Sequence, residues 1–164
     1  MREELRYVSD EERERLNWAE RHEAEYLRSG GAHGQFWDFT QNGGYDWTQC
    51  LLLETRGRKS GERRIAPLIY GAIGGEFVIV ASKGGAPQHP AWYFNITAMD
   101  EIIVQVGTQT FACSWREVHS DERRRVWGYM AAVYPPYIEY AEKTEREIPV
   151  VMFKPLREVP VLAE

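Results

Sequence analysis

The chain has 164 residues, 43% hydrophobic and 13% aromatic, enough for one domain with a real core. Its formal net charge of -5 argues against a general nucleic-acid binder, although a local basic patch can still hold one phosphate-bearing ligand. No apolar run approaches the roughly 20 residues that span a bilayer, and the start Met1-Arg2-Glu3-Glu4-Leu5-Arg6 lacks the apolar stretch of a secretory signal.

Residues 9–28 read as a helix that Ser9 or Asp10 can cap, with a thin apolar stripe of Leu16, Ala19, Glu23, Tyr26 and Leu27. This predicts a solvated helix docked at one edge. Its many acids disfavour membrane-surface contact, while peripheral attachment stays open. Ser29-Gly30-Gly31-Ala32-His33-Gly34 breaks the helix. Residues 35–47 carry Phe36, Trp37, Phe39, Tyr45 and Trp47, and fit either a flap over a pocket or an irregular arm packed on the core.

From Gln49 onward the pattern changes to strands, at 49–55, 63–70, 76–81, 101–106, 110–118 and 148–154. Pro67 cannot donate to a ladder, which places an edge or a bulge in the second strand. Gly107-Thr108-Gln109 marks a hairpin, with Phe111, Cys113 and Trp115 on one buried face. Helices are expected over 90–98, starting at Pro90, and over 121–133, capped by Ser120 and ended by Pro135-Pro136. A short one follows near 137–143. The expected fold is α+β, a six-stranded, mostly antiparallel split β-barrel with flanking helices. Residues 1–47 form a helix and an aromatic, glycine-rich arm, and 48–164 a cofactor-binding barrel, in one domain overall. Cys50 and Cys113 lie in strand-like runs outside any CxxC pair and read as buried free thiols, which fits a reducing cytoplasm.

The chemistry concentrates in two basic, glycine-rich segments beside strands. Gly57-Arg58-Lys59-Ser60-Gly61-Glu62-Arg63-Arg64 reads as a solvated hairpin turn or as part of an anion site. Ser82-Lys83-Gly84-Gly85 ends a strand and leads toward the helix near Pro90. Its glycines let backbone N–H groups approach a ligand, and a nearby helix start favours anions. Lys83 adds a point charge, while Arg58 and Arg64 can fork onto phosphate or carboxylate. Tyr134-Pro135-Pro136-Tyr137-Ile138-Glu139-Tyr140 puts tyrosines at spacing three, either packing the core or walling a pocket for a flat, polarisable molecule. No GxGxxG follows a strand, the P-loop spacing is missing, the four histidines lack metal-ligand spacing, and no GxSxG is present.

Gly57-Arg58-Lys59-Ser60-Gly61, Ala81-Ser82-Lys83-Gly84-Gly85-Ala86-Pro87, His89-Pro90-Ala91-Trp92-Tyr93-Phe94-Asn95 and Tyr134-Pro135-Pro136-Tyr137 together resemble the deazaflavin-dependent nitroreductase family, a branch of the split β-barrel flavin and deazaflavin oxidoreductases. The resemblance runs from about residue 47 to residue 154. It implies a barrel that binds coenzyme F420, whose phospholactyl oligoglutamate tail is anionic. Arg58, Lys59 and Arg64 then correspond to tail and phosphate contacts, and Ser82, Lys83, Gly84 and Gly85 to the phosphate and deazaflavin edge. Trp92 flanks the cofactor, and Tyr134, Tyr137 and Tyr140 correspond to the substrate-pocket tyrosines. Ala91 departs from the family, where a larger residue such as Met is common.

The implied activity is hydride transfer from the reduced deazaflavin to an electron-poor small molecule: an activated alkene or enone, a quinone or a nitroaromatic. Ser82, a pocket tyrosine (Tyr134 or Tyr137) or water supplies the proton. Two other readings are an FMN-binding oxidoreductase of the same fold and a non-catalytic F420-binding or storage protein. A generic barrel without a small-molecule role is the third. Oligomerisation is left open.

Overall fold

The computed structural model describes residues 7–164, so the reading of residues 1–6 lies outside the described residues. Two helices, α1 (Asp10–Arg15) and α2 (Trp18–Arg28), replace the one expected over 9–28. The cause is local. The Asn17 side chain accepts from the Glu20 N–H at 2.9 Å, and the Glu20 carboxylate accepts from the Asn17 N–H at 2.8 Å. This second capping box restarts the helix in a new phase, just as Ser9 and Glu12 start α1. The new phase buries His22, Ala24, Tyr26 and Leu27. The Tyr26 hydroxyl donates to the Cys50 carbonyl at 2.9 Å and accepts from the Gly107 N–H at 2.8 Å. Helix α2 is therefore pinned to the sheet by a buried hydrogen-bonded phenol, and is more deeply docked than a solvated edge helix.

The sheet contains β1 (Phe36–Trp37), β2 (Thr48–Arg56), β3 (Arg63–Ile69), β4 (Gly71–Ile73), β5 (Glu76–Val80), β6 (Ile102–Val106), β7 (Gln109–Glu117) and β8 (Val150–Val159). It is a curled antiparallel half-barrel in the order β1-β2-β6-β7-β8-β5-β4, with β3 also paired to β2. The α+β class stands, but among the described residues the strand count is eight, not six. The two extra strands, β1 and β4, have two and three residues, too few to show an alternation. Pro67 lies opposite Leu52 on β3, whose recorded ladder is with β2, so the missing N–H falls on a sheet edge as expected. β8 runs through Pro155 to Val159 instead of stopping at 154. A bulge between Ala112 and Cys113 faces Pro155 and absorbs the lost donor.

Helix α3 (Ala91–Thr97) is capped by Pro90, α4 (Ser120–Val133) by His119 and not by Ser120, and α5 (Pro136–Glu142) follows Pro135. The barrel interior is filled by Leu51, Leu53, Ile79, Val104, Phe153 and Ile96. A second cluster packs α4 and α5 on β5 and β8 through Val126, Met130, Tyr137 and Val150. A third sets Tyr26 and Leu27 against Leu52 and Leu162 outside the barrel. The one-faced reading of β7 is corrected as well: Thr110 and Ala112, which alternate with Phe111, Cys113 and Trp115, are fully buried, while Phe111 and Trp115 are only partly so. Both cysteines are buried free thiols.

Candidate active site

The hairpin β2–β3 carries residues 57–62 at its tip. Asn95 of α3 fixes the entry to that tip: its Oδ1 accepts from the Arg58 N–H at 3.1 Å, and its Nδ2 donates to the Thr55 hydroxyl at 3.1 Å. The Arg58 guanidinium lies 4.9 Å from the centre of the Phe94 ring, a cation–π contact. Between the hairpin and α3 is an open cavity of about 480 Å³ lined by Arg58, Lys59, Arg64, Ala91, Trp92 and Asn95 among others. Arg64 is paired at 2.9 Å with Glu62, both exposed. Arg58 and Lys59 make no ion pair within 4.0 Å with a described carboxylate. Their charge is available to a ligand.

The second loop leaves β5 at Val80 and turns sharply. Ser82 is in the right-handed helical region, and Lys83, Gly84 and Gly85 follow with φ of 45°, 63° and 83°. A right-handed to left-handed succession of this kind converges backbone N–H groups into an anion-binding concavity. A Cβ on Gly85 would lie 2.6 Å from the Tyr140 carbonyl oxygen, so the glycine permits the loop to press on α5. Arg146 holds the loop from beneath. Its guanidinium donates to the carbonyls of Ser82 at 2.7 Å, Ala86 at 2.8 Å and Ala81 at 3.2 Å. It also lies 2.8 Å from Nδ1 of His89, which must therefore be the unprotonated ring nitrogen.

Ser82, Lys83 and Gly84 line a cavity of about 420 Å³ together with Trp92, Tyr134, Tyr137 and Tyr140. The far wall is the N-terminal arm: Trp18, Ala19 and His22 of α2, then Phe39 and Asn42. The arm is thus both packed on the core and a wall of the pocket. Burial raises the phenols of Tyr134 and Tyr137 above the ordinary tyrosine value, with neighbouring Tyr140 adding to the effect on Tyr134. Both hydroxyls keep their protons at neutral pH and can donate hydrogen bonds. Trp92, only 8% exposed, lines both cavities and forms the partition between the cationic one and the aromatic one.

The expected site residues therefore separate by cavity. Arg58, Lys59 and Arg64 are on the first, Ser82, Lys83, Gly84 and the three tyrosines on the second, and Trp92 on both. Gly85 is in neither lining and shapes the loop. Sequence reasoning missed Asn95, Arg146, His22 and Asn42. The first was quoted in a motif without a role, and Arg146, flanked by Glu145 and Glu147, looks like ordinary surface charge.

The model of the F420H(2)-dependent quinone reductase family matches residues 18–155. The chain belongs to that family. A family relative, the F420H(2)-dependent quinone reductase Rv1261c of Mycobacterium tuberculosis (strain ATCC 25618 / H37Rv), is 36% identical over 105 residues, 62% of this chain and 70% of the relative. A second chain from that strain is 35% identical over 105 residues, covering 64% of this chain and 88% of its own length. The solved structure of an F420-H2-dependent reductase is 42% identical, covers 64% of this chain and 93% of its own, and superposes with a TM-score of 0.59. Another solved chain with the same identity and TM-score is described as a domain-swapped dimer. A heme-storage protein from Vibrio cholerae, 10% identical with a TM-score of 0.52, shares the fold alone. Among the described residues no helix is long and apolar enough to cross a membrane.

Proposed function

We propose that this family member is an F420H2-dependent reductase whose electron acceptor is a quinone. The observation that carries the reading is the pair of cavities meeting at Trp92, one cationic and open, the other aromatic and rich in hydroxyls. Each volume lies within the range of small-molecule sites. A cofactor with a flat ring and a long acidic tail needs both chemistries side by side, and the Ser82–Gly85 turn supplies the anion concavity where they meet.

In this reading Arg58, Lys59 and Arg64 hold the acidic tail, and Ser82, Lys83 and Gly84 hold the phosphate and ring edge. Trp92 fixes the ring plane. The reduced cofactor, when bound, supplies a hydride. The protein's share is to align the acceptor, exclude water and steady the negative charge that develops on the acceptor oxygen. Tyr134 and Tyr137 hold protons at hydroxyls beside the cavity, and Ser82 adds a third hydroxyl. One of these, or water, protonates the product. Tyr140 and the arm complete the acceptor pocket. Residues 48–164 are the cofactor-holding barrel, and the described part of the N-terminal segment, residues 7–47, is the acceptor-side cover. Enones and nitroaromatics share the need for an electron-poor centre and are the alternatives to test against quinones.

Parallel titration with F420 and FMN, followed by an acceptor screen with F420H2, tests the reading. F420 is expected to bind the more tightly and quinones to be reduced. Stronger FMN binding, or F420 binding without turnover of any acceptor, would overturn it. The variant combining Tyr134→Phe and Tyr137→Phe is expected to lower turnover by about 10²-fold while leaving F420 affinity nearly unchanged. Unchanged turnover removes the tyrosines as the proton source.

A further inference from the structure

The Arg146 clamp has one member that differs in kind from the rest. Among the described residues its guanidinium donates to the backbone carbonyls of Ala81, Ser82 and Ala86, and to a single side chain, at Nδ1 of His89. Nη1 is shared between the Ala81 carbonyl at 3.2 Å and Nδ1 at 2.8 Å. A carbonyl oxygen keeps its lone pairs across the physiological pH range, whereas an imidazole nitrogen loses its lone pair on protonation. Glu147, the chain neighbour, pairs with Arg123 at 2.8 Å, and no described carboxylate lies within 4.0 Å of the Arg146 guanidinium to hold it instead. The clamp also sets the direction of the loop's donors. The peptide between Ser82 and Lys83 is planar and trans, so the Lys83 N–H points opposite to the Ser82 carbonyl. The Ser82 N–H is related to the Ala81 carbonyl in the same way. Arg146 grips both carbonyls and so aims two N–H groups of the turn.

We propose that neutral His89 is a positioning residue for F420 binding: its Nδ1 seats the Arg146 guanidinium, and a proton on that nitrogen unseats it and loosens the Ser82–Gly85 turn. The inference rests on the reading of that turn as the anion site and deepens it. His89 is half-buried, so a proton can reach the ring. Tyr93 and Phe94 of α3 pack on it, with ring centres 4.9 Å and 5.7 Å away. The titratable and charged groups that face it are Arg146 from the segment before β8, Tyr93 from α3 and Glu117 from β7. Glu117 is already engaged: its Oε1 accepts from the Tyr93 hydroxyl at 2.5 Å, and its Oε2 lies 3.5 Å from Nε2 of His119. Burial, and then the Arg146 charge, lower the His89 pKa below its ordinary value, against the pull of Glu117. The ring is therefore uncharged at neutral pH and the clamp is closed. Protonation removes the acceptor and sets two cations in contact. F420 affinity is then full above the His89 pKa and is lost as pH falls through it. An extra cation near the loop would by itself attract the acidic tail, but repulsion at contact outweighs attraction screened by solvent.

F420 affinity is titrated at about pH 7 and about pH 5 on wild type, His89→Asn and His89→Leu. Asparagine places Oδ1 near the position of Nδ1 and takes up no proton there. The cofactor's own acids, His22 and His119 titrate in all three proteins, so the ratios isolate His89. At the higher pH His89→Asn is expected to bind within about twofold of wild type, and His89→Leu about five- to tenfold more weakly. Toward the lower pH wild type is expected to lose roughly three- to tenfold relative to His89→Asn. Parallel pH profiles of wild type and His89→Asn overturn the proposal, as does a relative gain by wild type at the lower pH or a His89→Leu variant that binds like wild type. If His89→Leu does not fold, the comparison with His89→Asn decides alone. Lys83→Ala at low salt reads the loop separately. Unaltered affinity there overturns the anion-site reading together with this inference, while weakened affinity with parallel pH profiles overturns this inference alone.

Discussion

His22 makes a claim about stability. Its folded pKa of about 4 lies below the ordinary histidine value of about 6.5. Between those two values the unfolded chain binds the extra proton and the folded chain does not. Stability is therefore lost as pH falls through that window, by up to about 3 kcal/mol. Urea unfolding at pH 7 and pH 4.5 measures it, and His22→Gln should show a shallower fall; equal slopes would mean the ring is not held neutral. Nothing in the sequence pointed to this residue. Treating 9–28 as one helix gave a stripe through Leu16, Ala19, Glu23, Tyr26 and Leu27, and the restart at Asn17 rotates His22 and Ala24 inward. Tyr26 survived that phase error. By contrast the three pocket tyrosines were legible: Tyr137 and Tyr140 share one face of the short helix α5, and Tyr134 ends α4 just before Pro135-Pro136.

At the scale of elements, the loop after β5 and helix α5 form one unit. Gly85 meets the backbone of Tyr140 with φ of 83°. A Gly85→Ala variant adds a methyl at 2.6 Å from a carbonyl oxygen in a left-handed conformation. It should destabilise the fold by about 2–4 kcal/mol and weaken F420 binding, since the loop must retreat from α5. Thermal melts and an F420 titration check both, and a neutral result would show that the loop has room to move. The strands were readable wherever they ran long enough to alternate. β1 and β4 were not, and the extension of β8 past Pro155 depends on a bulge in its neighbour, a pairing fact that no local pattern carries.

For the molecule as a whole, the net charge is -5, yet Lys59 and Lys83 stand on two loops that flank the Trp92 partition. Both are exposed, and neither lies within 4.0 Å of a described carboxylate. Their attraction for an acidic tail must work against the repulsion of the remaining surface. Replacing both by alanine should weaken F420 about tenfold at low salt, after allowance for solvent screening, with the gap closing toward 0.5 M salt, a deliberately high ionic strength. An unaltered low-salt affinity would remove the tail from this surface. The barrel class and the basic loops were both visible in the sequence, because each rests on runs of neighbouring residues. The union of two cavities through one tryptophan was not, since it depends on how α3 lies across the hairpin.

The Arg146 clamp bears on the order in which this site comes into being. Its partners Ala81, Ser82, Ala86 and His89 precede it by 57 to 65 residues. Contacts of such long sequence separation form late, after the intervening chain has been closed into place. During synthesis from the N-terminus, every cofactor contact proposed above has been made as polypeptide before Arg146 exists. A nascent chain therefore owns all the chemistry of the pocket without its shape, and cofactor capture becomes a report that the segment carrying Arg146, between α5 and β8, has docked.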